Sequence, residues 1–197
     1  AYSYGMANLK AGDEILVSIM EHHSNILPWQ MVSRATGAKL VFLECEPDGT
    51  ITKEKMDAAF SEHTRMVAVT QVSNVLGCVN DIPELVKRAR ACGAAILMDA
   101  AQSAPHMPID VQKLDVDFVA FSGHKMLAPM GIGVLYGKRA LLEEMLRDGE
   151  VECTGLSASS GGRRAAQYSL RREKYYGAAV CITDGQAHGL LVDVHGE

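Results

Sequence analysis

The chain has 197 residues, of which 48% are hydrophobic and 22% are charged, and its formal net charge is −5. This composition is typical of a globular domain with a sizeable core, and it excludes a disordered or membrane-spanning chain. Lys and Arg form no run longer than two, so with the acidic balance we predict no nucleic-acid binding.

Apolar runs alternate with segments of helical periodicity up to about residue 146. Continuous apolar runs predict strands, whereas mixed runs bounded by a capping residue or proline and by glycine predict helices. In chain order we predict a strand at 14–18, a helix at 25–35, a strand at 38–43, a helix at 52–60, a strand at 65–70, a helix at 82–92, strands at 94–98, 116–121 and 133–136, and a helix at 139–146. Beyond about residue 147 the pattern predicts neither helix nor strand.

The five cysteines form no metal-binding or disulfide pattern, because none belongs to a CxxC pair and the count is odd. The chain begins with neither a basic segment nor an initiator Met, so we predict no signal peptide and expect the first residue to lie within a longer protein. Together these features favour a reducing cytoplasm.

Strands that are apolar on both faces and alternate with helices predict an α/β fold, with a mostly parallel sheet and helices on both faces. Ligands of such sheets lie beyond the carboxyl ends of the strands. We therefore expect the polar residues that follow the predicted strands to converge at one edge of the sheet. These residues are His22, Asn74, Asp99, Gln102 and Lys125.

Lys125 ends the segment Ser-Gly-His-Lys, which follows an apolar strand. A lysine at such a place is poorly hydrated, and its neutral amine is a nucleophile toward carbonyl carbon. Ser122 and His124, with the backbone N–H groups of the turn, suit a phosphate. Asp99 ends the neighbouring strand and needs a cationic partner, which a protonated ring nitrogen would supply. A Schiff-base lysine and a pyridinium partner together predict pyridoxal 5′-phosphate (PLP).

Three further residues supply groups that suit a flat aromatic cofactor. His22 can stack on the ring or move protons, and His23 competes for the same role. Asn74 and Gln102 offer amides that can donate to a phenolate oxygen. The structural alternatives are a capping role for Asp99 and a turn role for Asn74.

The motifs resemble those of the class V aminotransferases among the fold-type I PLP enzymes. The most similar branch is that of the SUF-type cysteine desulfurases and selenocysteine lyases. The matching segments cover about residues 1–146 in the family's order. They are MEHHSNILPWQ at 20–30, VSNVLG at 72–77, DAAQS at 99–103, DVQ at 110–112, SGHK at 122–125 and GIGVLYG at 131–137.

The resemblance implies a role for each site residue. Lys125 would hold the cofactor covalently and then move protons at the substrate α-carbon. Asp99 would pair with the pyridine nitrogen, and His22 would stack on the ring. The remaining four would contact the phenolate oxygen (Asn74, Gln102) and the phosphate (Ser122, His124).

The implied reaction converts L-cysteine or L-selenocysteine to alanine, and the sulfur passes to a cysteine thiolate as a persulfide for iron–sulfur cluster assembly. A homodimer and a sulfur-acceptor protein are the implied partners. Two alternatives stay open. One is another PLP enzyme of the same fold, such as an aminotransferase, an epimerase or a kynureninase-like hydrolase. The other is a non-catalytic remnant that binds cofactor or nothing.

The chain departs from the family's pattern at the loop after the lysine, where Gly-Pro-Thr reads Ala128-Pro129-Met130, and at Gln71, where the family has His. We expect residues 1–146 to form a PLP-binding large domain that is incomplete at its N-terminus. Residues 147–197 are expected to form an atypical tail that is either disordered or encoded in a shifted reading frame. We expect the family's C-terminal small domain, which carries the persulfide cysteine and an arginine for the substrate carboxylate, to be absent.

Overall fold

The structure is a computed structural model that describes residues 1–147, 149, 151–156, 166–170, 176–183 and 186–193. The chain divides into two compact units, one from Ala1 to Lys138 and one from Arg139 onwards. In the described ranges, no helix combines the length and the apolar character that crossing a membrane requires.

The first unit is a six-stranded sheet with five helices. Its strands are β1 (Glu14–Ser18), β2 (Lys39–Leu43), β3 (Thr64–Thr70), β4 (Ala95–Asp99), β5 (Phe118–Ser122) and β6 (Gly133–Gly137). Its helices are α1 (Tyr2–Asn8), α2 (Leu27–Thr36), α3 (Lys53–Ala59), α4 (Ile82–Cys92) and α5 (Val111–Leu114). The strand order is β2-β1-β3-β4-β5-β6, and every neighbouring pair is parallel except β5 with β6. The predicted α/β fold with a mostly parallel sheet is confirmed.

Successive residues of the central strands face two different cores. Leu16 of β1 packs in one apolar cluster with Leu85 of α4, whereas its neighbour Ile15 packs in the other with Trp29 and Val32 of α2. All five side chains are at most 1% exposed, and burying each contributes about 1.5–3 kcal/mol. Helices therefore cover both faces of the sheet, which explains why its strands are continuous apolar runs.

The ends of α4 lie where the sequence predicts them. The Asp81 side chain accepts the N–H of Glu84 at 3.1 Å, a proline follows in the first turn, and Gly93 ends the helix with a φ of 73°. That positive φ favours glycine because it has no Cβ. The helix predicted at 25–35 begins later, because His23–Asn25 forms a separate 3-10 turn before α2.

Two short helices, α1 and α5, were not predicted. The four residues of α5 are too few to show a helical period, and the Asp110 side chain caps them by accepting two backbone N–H groups. Helix α1 packs on α2 so closely that a Cβ on Gly5 would lie 2.6 Å from Cγ1 of Val32. Short helices gain most of their stability from such packing, which the local sequence does not reveal.

The second unit contains α6 (Arg139–Arg147) and the strands β7 (Val151–Leu156), β8 (Ala166–Leu170), β9 (Tyr176–Thr183) and β10 (Gln186–Asp193). These strands form two antiparallel pairs, β7 with β8 and β9 with β10. The prediction of no strand beyond residue 147 is therefore wrong for these four segments. Glycines interrupt the alternation of apolar and polar residues in β7, β9 and β10, which hides the strand signal there. The Asp184-Gly185 dipeptide, which is typical of two-residue hairpin loops, is the signal that would have predicted the β9–β10 pair.

Candidate functional site

A cavity of about 340 Å³ lies at the carboxyl ends of β3, β4 and β5. The parallel register places Thr70 beside Asp99 and Asp99 beside Ala120, so these strands end at the same edge of the sheet. The volume lies within the range of small-molecule sites. All seven residues predicted from the sequence line the cavity, namely His22, Asn74, Asp99, Gln102, Ser122, His124 and Lys125. Four further residues that were not predicted also line it, namely Ser24, Thr70, Val72 and Ala101.

Lys125 lies in a 3-10 turn, Gly123–Met126, that directly follows β5. The turn is tied to the returning chain, because the N–H of Gly123 donates to the carbonyl of Ile132 at 2.8 Å. A Cβ on Gly123 would lie 2.9 Å from that carbonyl oxygen, so this close approach requires glycine. The Lys125 side chain is half-buried, and none of the ion pairs between described residues involves it.

Asp99 is half-buried at the end of β4. One of its oxygens, Oδ1, accepts the N–H of Ala101 at 2.8 Å, so the capping role that the sequence left open is present. The described residues provide no cation for this carboxylate and no hydrogen bond to its second oxygen. That oxygen is available to a cationic N–H group in the cavity.

His22, and not its neighbour His23, lines the cavity. The N–H of Ser24 donates to Nδ1 of His22 at 3.2 Å, and the Ser24 hydroxyl lies 2.8 Å from the same nitrogen. Because a backbone amide only donates, Nδ1 is the acceptor, and the proton of the neutral ring is on Nε2. Ser24 therefore fixes both the orientation and the tautomer of His22. Ser24 lies two residues after a histidine, a spacing at which a local side-chain hydrogen bond can form. That spacing is the signal that could have identified Ser24.

Ser122 and His124 form a pair at the end of β5. The Ser122 hydroxyl lies 2.6 Å from Nδ1 of His124. A hydroxyl and an imidazole held together in this way provide donors for an anion such as a phosphate.

Asn74 and Gln102 contribute amides to the cavity from two loops. Asn74 is exposed, and the Ser73 side chain next to it accepts the N–H groups of Val75 and Leu76 at 3.3 and 3.1 Å. The turn role that the sequence left open for Asn74 is therefore also present. Gln102 is half-buried and lies three residues after Asp99.

This set of groups fits PLP. The cofactor requires an amine for its aldehyde, a carboxylate for its ring nitrogen, donors for its phosphate and a flat partner for its ring. The cavity offers an unpaired lysine, a carboxylate with one oxygen unused, the Ser122–His124 pair and an imidazole of fixed tautomer.

A buried carboxyl, that of Glu21, lies directly before His22 in the chain and is 7% exposed. It accepts hydrogen bonds from the Asn25 side-chain amide at 2.7 Å, from the N–H of Thr70 at 2.8 Å and from the Ser18 hydroxyl. Burial raises the pKa of Glu21 to about 7 although these hydrogen bonds act to lower it, and the carboxylate of Asp99 raises it further. Sequence reasoning missed Glu21, because the local pattern does not distinguish a buried glutamate from a solvated one.

Comparisons with known proteins agree with the motifs. The family profile described as "Aminotransferase class-V" matches residues 1–171. A "Probable cysteine desulfurase" of Halalkalibacterium halodurans is 59% identical over 145 residues, which are 74% of this chain and 36% of that protein. The chain therefore spans about a third of the length of this relative.

Solved structures show the same similarity. The cysteine desulfurase CsdA (S-sulfonic acid) from Escherichia coli has a TM-score of 0.68 and 38% sequence identity, over 84% of this chain and 43% of that one. The structure described as SspA in complex with cysteine has a TM-score of 0.60 and 28% identity, over 65% of this chain and 37% of that one.

Proposed function

Since the chain belongs to the aminotransferase class-V family, we propose that it carries the PLP-binding site of a cysteine desulfurase-like protein. The observation that carries the proposal is the convergence of seven motif residues on one cavity at the carboxyl edge of the sheet. Because the chain spans about a third of the first relative's length, the desulfurase reaction is proposed for the protein at the length of its relatives. For these 197 residues alone, we propose cofactor binding without turnover.

Two groups in the cavity would act on the cofactor and on the substrate proton. Lys125 would hold the cofactor covalently, and its released amine would move a proton at the substrate α-carbon. The unused oxygen of Asp99 would accept the ring N–H and keep the ring nitrogen protonated. When bound, PLP supplies an electron sink for the charge that develops at the α-carbon.

The remaining groups would bind and orient. His22, with its proton on Nε2, would lie against the ring face, where Ser24 prevents it from turning. The Ser122–His124 pair would bind the phosphate. Asn74 and Gln102 would donate to the phenolate oxygen.

The proposed substrate is L-cysteine or L-selenocysteine. Its C–S or C–Se bond would break to leave alanine, and the sulfur or selenium would pass to a cysteine thiolate as a persulfide or its selenium analogue. The SspA structure in complex with cysteine supports an amino-acid substrate. The family resemblance alone supports a homodimer, a sulfur-acceptor protein and a role in iron–sulfur cluster assembly, and the cysteine pattern supports a cytoplasmic location.

The domain assignment is also a proposal. Residues 1–146 would be the PLP-binding large domain, and residues 147–197 would come from a shifted reading frame. The first part is supported by the length of the match to the Halalkalibacterium halodurans protein, which is 145 residues and close to the length of this domain. Translation of the encoding DNA in the other two frames tests the second part, which fails if neither frame resumes the family's pattern.

Absorption spectroscopy tests the cofactor site. After incubation with PLP and removal of the unbound cofactor, the chain is expected to keep a band in the near-ultraviolet to blue range, and Lys125→Ala is expected to abolish it. Lys113→Ala, at an exposed lysine of α5, is the matched control and should keep the band. Reduction with borohydride followed by mass spectrometry should locate the label on Lys125. An unchanged band in Lys125→Ala, or a label elsewhere, would refute the assignment.

The reaction is tested in the protein at the length of its relatives. Release of alanine from L-cysteine, with sulfide set free from the persulfide by an added thiol reductant, supports the desulfurase. Keto-acid formation, racemisation or hydrolysis of kynurenine would instead support the other enzymes of the same fold. If PLP binds and none of these reactions occurs, the protein is the non-catalytic remnant.

A further inference from the structure

Glu21 lies where the pairing of β1 with β3 stops. The parallel register of these strands extends to Val17 opposite Ala68, and β1 ends at Ser18. The backbone N–H of Thr70 therefore lies beyond the reach of a β1 partner, and the Glu21 carboxyl accepts it at 2.8 Å. A buried backbone N–H is costly to leave unpaired, so the carboxyl replaces the missing strand residue.

The same carboxyl fixes the loop that carries His22. Ser18 at the start of this loop and Asn25 at its end both donate to Glu21. Asn25 also donates its backbone N–H to the carbonyl of His22 at 2.8 Å and accepts the indole N–H of Trp29 at 3.2 Å. One buried group thus connects the ends of two strands, the His22 loop and the first turn of α2.

We propose that Glu21 is the positioning residue for His22, and that its buried carboxyl holds the imidazole at the cavity by tying this loop to the ends of β1 and β3. The proposal depends on the proposed function only for the claim that His22 stacks on the cofactor. The connection has two protonation states. The carboxylate accepts hydrogen bonds from all three donors. The protonated acid has a donor of its own, and Ser18 is the partner that can accept this hydrogen bond, because a hydroxyl both donates and accepts.

The charge near Glu21 comes mainly from Asp99 at the end of β4, which raises the pKa of Glu21. The ends of β1 and β3 present only the neutral Ser18 and Thr70, and the loop itself carries the exposed His22 and His23. A cation bound to Asp99 would offset its charge and is expected to lower the pKa of Glu21. By linkage, cofactor binding should then release a proton from Glu21 near neutral pH.

Trp29 provides a readout in the cofactor-free protein, because it is the only tryptophan and its indole N–H donates to Asn25. In NMR spectra we expect the indole signal to titrate with a midpoint near pH 7 in the wild type and to lose this titration in Glu21→Gln. Glu14→Gln, at the opposite end of β1, is the matched control and should keep it. Both variants retain His22 and His23, so histidine titration cannot explain a difference between them.

A second readout follows His22 directly, after its ring signals are assigned with His22→Ala. Glu21→Gln should move the His22 signals more than those of His23, and it should weaken PLP binding about five- to tenfold, as expected for a lost ring contact. In the His22→Ala background, Glu21→Gln should weaken binding no further. His22 signals that coincide with those of the wild type, or affinity losses that simply add, would refute the positioning role.

If Glu21→Gln fails to fold, Ser18→Ala removes one donor and should move the same signals in the same direction by a smaller amount; unmoved signals would refute the proposal. If the chain binds no PLP, the proposed function fails, while the two NMR readouts still decide the role of Glu21.

Discussion

Glu21 should make the stability of the chain fall as the pH rises from about 4.5 to about 7. The unfolded chain releases this proton near pH 4.5, and the folded chain releases it near pH 7. Between these values the folded state holds one proton more than the unfolded state, so its free energy of unfolding decreases with pH and then becomes constant. Each tenfold change in proton affinity corresponds to about 1.4 kcal/mol, so the total decrease is roughly 3 kcal/mol.

Urea unfolding of the wild type and Glu21→Gln, followed by Trp29 fluorescence from pH 5 to 8, measures this effect. Glutamine does not titrate, so we expect the stability difference, wild type minus variant, to fall by most of that amount, about 2–3 kcal/mol, across the range. Groups common to both proteins cancel. Glu14→Gln is the control, because hydrogen bonding to Ser61 lowers the pKa of Glu14. The Glu14 carboxyl is therefore mostly ionised above pH 5 in both the folded and the unfolded chain. The stability difference between the wild type and Glu14→Gln should then be nearly constant. A constant difference for Glu21→Gln would refute the raised pKa, and a rising one would mean that the three donors outweigh burial.

Three further substitutions test the packing and the site. Gly123→Ala places a carbon 2.9 Å from the carbonyl oxygen of Ile132, so we expect thermal unfolding to show a loss of about 1–3 kcal/mol and the PLP band to weaken; a band of full height would mean that the turn tolerates a methyl group. Arg90→Met removes the guanidinium that donates to both oxygens of buried Asp117 at 2.8 and 2.9 Å, while Lys138 still lies 3.2 Å from one of them. The substitution should therefore cost about 1.5–3 kcal/mol in urea unfolding at pH 7, and a loss below 1 kcal/mol would contradict this. Leu85→Ala opens a cavity in the core beneath α4 and should cost about 2–5 kcal/mol, while the folded fraction keeps the PLP band.

The sequence was sufficient to predict seven of the residues that line the cavity, because their positions follow from the strands. Asp99 and Lys125 lie just beyond apolar runs, and the ends of neighbouring parallel strands meet at one edge. Helix α4 was equally predictable, since its capping aspartate, its early proline and its final glycine are all local signals. Each of these inferences needs only residues that are close together in the chain.

Features that depend on distant contacts could not be predicted in this way. Glu21 is buried because Thr70, 49 residues later in the chain, brings an unpaired N–H to it. Helix α1 forms because Gly5 allows it to approach α2 closely. The structure was also needed to choose between His22 and His23, because it shows that His22 lines the cavity and His23 does not.

The residues that line the cavity explain why we expect these 197 residues to bind the cofactor without turning over a substrate. Among the described residues that line it, Lys125 is the one lysine or arginine, and its amine is assigned to the cofactor. A substrate carboxylate in this cavity would therefore find amides, hydroxyls and imidazoles but no second cation to pair with. We accordingly expect these residues to bind PLP while binding free L-cysteine weakly, and calorimetry with each ligand should show this order. Tight binding of L-cysteine to the PLP-free chain would mean that the carboxylate is recognised by a group outside this set.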